Sequence, residues 1–485
     1  MSRQAQLYAV VFFFLQITLL FSVSPTAKSE ISTAVSSVFT GMQHGEYTEE
    51  YRMDWSRLPL GNVKGKTDFR DTEFIDVVGE YARRSYINKK IVEIKDVAYR
   101  VKWNSPSRKY STSVIHIRGA DRVVIENVAI ISLDADYRTY SSIFIEDSRE
   151  VIIKNVYIAG AAAGYQIRVE GSENVLIDGA EITGYNYSGK GVRAGGGIWI
   201  NNGPTYSPNP KEPKWAVVQN CYLHDYLDAD NFRNHDAINV QTPQNGLIFN
   251  CFIENWGKDG QIGDGAIDIS YRNKDRKNGR FRIERNVIRN CFVTKTPGEG
   301  AESNTVVWAN NLYIDTEIGD YHSGWMNSHI HNSYMFTKPE HKRLYKLWGV
   351  GDEGRIVFQN NMVAAASPLW AVFWENSSGV EDNYGLIQSD HNTFFMEQPY
   401  FWLGGKRKKI KQLNQWRSHN KDINSALISG RMCNLDQESM QIDTNCLLRG
   451  SGSPVYLDGS QQVMQVNKDF WGRTRTEAPT PGAFE

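Results

Sequence analysis

The chain has 485 residues, 12% aromatic and 22% charged, with a formal charge of −1. Near-neutrality excludes a general nucleic-acid binder, which needs a strongly basic balance. The length exceeds what one closed core usually organises, so the chain needs either several domains or a core that grows by repetition.

At the N-terminus, Arg3 precedes an apolar run from Leu7 to Val23, followed by small and polar residues through Ala27-Lys28-Ser29. This pattern predicts a removable secretory signal over 1–29, and hence a secreted or periplasmic protein. The run is short for a membrane span and no later segment is apolar enough to be one, so no span is expected after signal removal. Loss of Arg3 and Lys28 takes the charge from −1 to −3.

Residues 30–110 are irregular, with strand-like Ile91–Ile94 and Val97–Val101, and are expected to cap a repeat occupying 111–400. The repeat is an apolar strand, an Asn and another apolar strand, at Asn127, Asn155, Asn220, Asn250 and Asn290. Looser copies follow at Asn311, Asn332, Asn361 and Asn392, and Gly179 holds the same place in one rung. A supersecondary unit recurring every roughly 20 to 40 residues marks a solenoid. Alternation of inward and outward residues makes the coils β, and short turns between parallel strands imply a right-handed parallel β-helix of about ten rungs with long loop insertions. Asn suits a tight corner because it tolerates a left-handed backbone and its amide can bond from rung to rung. These Asn residues are given no catalytic role.

Five cysteines are present. Cys221, Cys251 and Cys291 each follow a ladder Asn, which predicts a stack of small apolar residues on successive rungs. Cys433 and Cys446 form a late pair able to close a loop in an oxidising space. None has zinc-site spacing. Residues 401–485 are expected to form a C-terminal cap, with Gly405–Lys411 a solvated loop and 412–450 covering the open end.

Aligning the first strand of each rung puts His116, Phe144, Arg168, Trp199, Asn239 and Asp268 in one outward row, between inward aliphatics such as Ile115 and Ile117. A second row pairs His235 with Asp264 on adjacent rungs, about 4.8 Å apart. Two insertions, Gly203–Pro213 and the basic stretch Tyr271–Arg285 with Arg272, leave the helix at the end of the same strand. His224, Asp225, Asp228, Asp230, Arg233, His235, Asp236, Lys258, Asp259, Asp264 and Asp268 crowd the same stretch of chain. Each alone reads as a solvated surface residue; together, beside Trp199 and Arg168, they point to a site. The wealth of Trp and Tyr suits carbohydrate, whose apolar sugar faces stack on rings, although ordinary packing accounts for most of them.

With its Asn-marked coils and its ending, Gly452-Ser453-Pro454 then Asp469-Phe-Trp-Gly-Arg-Thr-Arg475 and Pro481-Gly-Ala-Phe-Glu485, the chain resembles the secreted pectate-lyase-like right-handed β-helix proteins. These include polysaccharide lyases, uronan C5-epimerases and related glycosidases, and the resemblance covers most of the mature chain. Arg233-Asn234-His235-Asp236 matches the Asp-Pro-His-Asp phrase of the epimerases in its last two residues. The resemblance implies a secreted enzyme, expected as a monomer, acting on an acidic polysaccharide such as a matrix exopolysaccharide.

For β-elimination on a uronic-acid polymer, His235 is expected as the base, oriented by Asp264, with Arg168 and Asn239 facing the sugar carboxylate. Lys258 and Arg272 are reserve candidates, and Trp199, Asp236 and Asp268 complete the binding strip. No cofactor is required, although Asp228, Asp230, Asp236, Asp264 and Asp268 together would suit Ca²⁺, which takes several oxygen ligands. The alternatives are a glycoside hydrolase, a C5-epimerase, or a non-catalytic polysaccharide-binding or adhesin β-helix.

Overall fold

A computed structural model of the chain describes residues 73–79, 84–103, 113–132, 139–160, 164–183, 196–201, 215–226, 236–241, 245–256, 265–270, 279–295, 305–321, 326–338, 343–348, 355–366, 371–375, 387–403, 408–429, parts of 433–464 and 466–484. All belong to one compact unit, Tyr51–Glu485; the other unit, Met1–Glu50, which holds the expected signal, lies outside the described residues.

The unit is an all-β parallel solenoid in which each strand pairs with the equivalent strand one turn later. A first sheet contains Arg84–Ile87, Ile115–Arg118, Ile143–Glu146, Ile167–Glu170, Ile198–Asn201, Ile238–Gln241 and Ile267–Ser270. Ile115, Ile143, Ile167, Ile198, Ile238 and Ile267 form one inward row, and Ile117, Ile145, Val169, Ile200, Val240 and Ile269 form the next. All are 0% exposed. β-Branched side chains suit this pleated interior, and burying each one contributes roughly 1.5–3 kcal/mol. A long sheet of 21 strands supplies the other two sides of each coil, and a six-stranded sheet beginning at Phe292–Lys295 continues beside Ile267–Ser270.

The solenoid begins earlier than the sequence suggested. Ile91–Val101 pairs in parallel with Arg122–Ser132, and Phe74–Val77 pairs with Ala98–Val101, so these segments are coils of the helix itself.

The Asn ladder is real at Asn127, Asn155, Asn220 and Asn250, whose φ values lie between 49° and 54°. Asn155 donates to Asn127 at 3.3 Å and Asn250 to Asn220 at 2.6 Å. Gly179 takes the same corner with φ 75°.

Farther along, the expected register is wrong by one residue. The left-handed corner residues are Arg285, Asn310, His331, Asn360 and His391, and Asn311, Asn332, Asn361 and Asn392 each come one place later. Their amides turn inward and form a second, buried ladder with Asn286, in which each Oδ1 also accepts the preceding rung's backbone N–H. Cys221 and Cys251 occupy this inner place in earlier rungs, and the Cys251 N–H donates to Asn286 Oδ1.

Cys291 does not join them, because Asn290 belongs to a different corner, shared with Asp225, Asn255 and Asp315. There Cys291 sits between Trp256 and Thr316. All three thiols are free and buried, whereas Cys433 and Cys446 form a disulfide.

At the C-terminal end, Leu413 and Trp416 of the short helix Leu413–Arg417 enter the main core, where Trp416 stacks on Phe401 at 4.4 Å. Lys408–Ile410, expected in a solvated loop, instead pairs antiparallel with Phe401–Leu403. The final residues run along the outside of the long sheet. Phe470 and Phe484 pack on Tyr222, Phe252, Leu312 and Met335, while Asn310 and Asn360 hydrogen-bond the tail backbone at Lys468 and Ser453. The Asp469–Arg475 phrase thus has a packing explanation: Asp469 pairs with Arg473, and Arg475 reaches Asn310 Oδ1 at 2.7 Å.

The corner that carries long connections changes along the helix. In early rungs the first-sheet strands leave through tight corners at Gly119, Asp147 and Gly171, and the longer connection precedes the strand. Later the tight corner precedes the strand, at Asn290 and Asp315. In the first sheet, Ile198–Asn201, Ile238–Gln241 and Ile267–Ser270 are joined to the long sheet through 184–195, 202–214, 227–235, 242–244, 257–264 and 271–278, which lie outside the described residues, as do the segments on both sides of Arg343–Trp348 and Ala371–Glu375.

Candidate functional site

The outward row predicted from the sequence exists in register: His116, Phe144, Arg168, Trp199, Asn239 and Asp268 are successive partners along the first sheet. Adjacent strands sit about 4.8 Å apart, so planar side chains in one row stack face to face along the helix axis. His116 stacks on Phe144 with centroids 5.3 Å apart and planes 8° from parallel. The Arg168 guanidinium lies 5.6 Å from the Phe144 ring centre and 4.0 Å from that of Trp199.

The upstream polar groups are internally balanced. His116 Nε2 is 2.8 Å from Glu146 Oε1. Arg168 is 4% exposed, donates from Nε to Glu170 Oε1 at 2.6 Å and from Nη1 to the Tyr140 hydroxyl. Burial raises the Glu170 carboxyl above the usual range, against the lowering pull of Arg168.

Downstream the arrangement differs. Asp236 is 0% exposed; its Oδ1 accepts the Gly265 N–H at 2.9 Å and its Oδ2 accepts Asn239 Nδ2 at 2.9 Å. The same Asn239 nitrogen donates to Asp268 Oδ2 at 3.0 Å. Two carboxylate oxygens around one atom identify it as the amide nitrogen, which fixes the orientation of the group. Asn239 Oδ1, Trp199 Nε1 and Gln241 Oε1 are buried polar atoms with no hydrogen-bond partner among the described residues. Trp199 meets Tyr165 at 5.2 Å, and the glycines before its strand permit that approach: a Cβ on Gly196 would lie 2.2 Å from the Tyr165 ring.

His235, Asp264, Lys258 and Arg272 lie outside the described residues, as do Asp228 and Asp230. The expected basic insertion is shorter than its predicted span, because Arg280–Glu284 is a strand of the long sheet. Arg282 is ion-paired with Glu284, and Arg285 donates to the Phe470 carbonyl at 2.9 Å, so both are structural. His224 and Asp225 belong to the long sheet, away from the row, where His224 pairs with Asp225 at 2.9 Å and approaches Glu181 at 3.5 Å. Burial opposes the charged form of His224, but these carboxylates outweigh it and raise its pKa.

Sequence reasoning passed over Glu146, Glu170 and Gln241, which occupy the next outward place on the same strands. Reading two residues beyond the first row would have found them. It also missed Lys346, which follows Gly319 in the outward row of the six-stranded sheet. Burial, assisted by Arg343 and opposed by Glu317, brings its ammonium down to about 7.

Among the described residues, no three His, Cys, Asp or Glu side chains gather as a metal site, and no helix is long and apolar enough to cross a membrane. In comparisons with known proteins, no family model matches the chain and no curated protein sequence matches it.

Proposed function

We propose that the protein is a secreted carbohydrate-active enzyme that cleaves an acidic, uronic-acid-containing polysaccharide by β-elimination. The observation carrying this reading is the register that lines Arg168, Trp199, Asn239 and Asp268 along one outward strip, in the stretch of chain where the connections between strands are longest in sequence. A long strip on rigid strands suits an extended polymer, and flanking segments are where reacting groups are usually carried.

Elimination needs a neutralised sugar carboxylate, a base for the C5 proton and an acid for the leaving O4. His235 is the base and Asp264 its orienting partner; they are covalently attached to Asp236 and Gly265, which are hydrogen-bonded neighbours on adjacent turns. Arg168 and Asn239, expected from the sequence to face the sugar carboxylate, have N–H groups engaged by Glu170, Asp236 and Asp268. The neutralising cation therefore falls to Lys258 or Arg272, with Arg168 holding Trp199 in place. Ca²⁺ is an alternative neutraliser, for which Asp268 and the aspartates of the inserted segments would supply oxygen ligands.

One observation favours hydrolysis as a second reading. Glu146 and Glu170 are register partners on adjacent strands, and burial raises the Glu170 pKa, the setting of a general acid beside a second carboxylate.

Incubating the mature protein with polygalacturonate, alginate and other acidic polysaccharides separates the readings. New ultraviolet absorbance from a C4–C5 double bond is the expected result, and new reducing ends without it would indicate the hydrolase. Full-rate cleavage by His235→Ala removes His235 from the mechanism, and loss with chelator that Ca²⁺ restores assigns neutralisation to the metal.

A further inference from the structure

We propose that the middle of the strip, at Trp199, Asn239 and Gln241, is a subsite for the hydroxyl edge of a sugar ring, and that it excludes the ring's carboxylate. The inference rests on the carbohydrate reading above and adds which side of the sugar this part of the strip takes.

Donor and acceptor polarity carry it. Asn239 is 4% exposed and Gln241 is 3% exposed, yet Asn239 Oδ1 and Gln241 Oε1 have no partner among the described residues. Buried polar atoms in native proteins are nearly always bonded, so unmade bonds at neighbouring outward positions point to a ligand that completes them. Asn239 cannot turn its amide to offer a donor instead, since Nδ2 is held by Asp236 at 2.9 Å and Asp268 at 3.0 Å. What remains is an acceptor, and an acceptor needs an O–H or N–H opposite it.

Trp199 supplies the complementary group one strand away. One face of its ring is covered by the Arg168 guanidinium at 4.0 Å and Tyr165 lies against it at 5.2 Å, so the indole is poorly placed as a stacking platform. Its Nε1–H, buried and without a partner among the described residues, is what it offers. A donor and an acceptor on adjacent strands, about 4.8 Å apart, match a pair of neighbouring ring hydroxyls, one accepting from Trp199 and one donating to Asn239. A carboxylate has no proton to give Asn239 Oδ1, and the Asp236 and Asp268 carboxylates bonded to that amide repel it. The sugar's acidic group is thereby turned away from this part of the strip.

The test compares wild type with Trp199→Phe, which removes the indole N–H with part of the ring, and Gln241→Met, which removes the whole amide at similar length; matching melting temperatures confirm that they fold. Binding is measured by affinity electrophoresis in gels containing polygalacturonate or alginate, each unmodified, carboxyl-reduced and O-acetylated. We expect each variant to bind the unmodified and carboxyl-reduced polymers about tenfold more weakly than wild type. O-Acetylation should weaken wild type and erase its advantage over the variants. Variants that bind unmodified polymer as tightly as wild type would overturn the subsite and leave the acidic-polysaccharide reading standing. Wild-type binding to carboxyl-reduced polymers alone, with the variants weaker, would support the subsite and remove the acidic substrate. No binding to any polymer overturns both.

Discussion

The two halves of the outward strip use the same kind of position for opposite ends. Upstream, His116 stacks on Phe144 and Arg168 lies between Phe144 and Trp199; Glu146 and Glu170 are their hydrogen-bonding partners, and their bonding is largely complete within the fold. Downstream, Trp199, Asn239 and Gln241 leave a donor and two acceptors unmatched among the described residues. Sharing a row with a candidate site therefore does not make a residue part of its chemistry; what separates them is whether the polar groups find partners inside the protein.

The largest effect that can break this contrast is in the upstream half. Arg168→Ala removes one member of a buried ion pair and leaves the Glu170 carboxylate behind, a change expected to cost about 3–5 kcal/mol in urea unfolding. Asn239→Leu should cost less, about 1–3 kcal/mol, because Asp236 keeps the Gly265 N–H when it loses the amide. If the order is reversed, the downstream carboxylates depend on Asn239 more than the upstream charges depend on each other, and the division of the strip fails.

Much of this was legible in the sequence, for a physical reason. Period-2 alternation fixes which face a side chain occupies, so the inward rows from Ile115 onward and the outward row from His116 to Asp268 could be aligned before any coordinates. The same periodicity explains the errors. Asn311, Asn332, Asn361 and Asn392 lie one residue beyond the left-handed corner, and a shift of one turns the amide from outside to inside. Two corners use the same Asn-then-small-residue phrase, so the sequence does not distinguish the corner of Asn290 and Cys291 from that of Asn220 and Asn250. Pairing state was not legible at all. Nothing in the order of residues says that Arg168 is balanced by Glu170 two places on, or that both hydrogens of the Asn239 amide are engaged, since these depend on rotamers within a packed row.

Lys346 extends the contrast to the six-stranded sheet, through pH. Its ammonium falls to about 7 in the fold from an ordinary 10.5, mainly through burial, so between those values the unfolded chain holds the proton more often than the native state. Stability attributable to this group therefore rises as pH climbs from about 7 towards 10.5, and it is lowest below 7, where the buried amine must carry charge. Lys346→Met should raise the melting temperature most below pH 7, with the gain shrinking towards pH 10. A gain that is constant across that range would mean Lys346 keeps its proton in the fold.

The smallest expected change is also the most discriminating. Trp199→Phe and Trp308→Phe delete the same indole N–H from two half-buried or buried rings, but Trp308 Nε1 donates to Asn327 Oδ1 at 2.9 Å whereas Trp199 Nε1 has no partner among the described residues. Losing Trp308 breaks a buried bond and costs about 1–3 kcal/mol, with a further contribution from the space the smaller ring leaves. Losing the Trp199 indole removes a donor that burial already penalises, so the two changes offset and stability should move by no more than about 0.5 kcal/mol. Equal destabilisation by both substitutions in urea unfolding would show that Trp199 is bonded within the fold. The downstream half would then be as self-contained as the upstream one, and the strip would have no unmatched donor to offer a sugar.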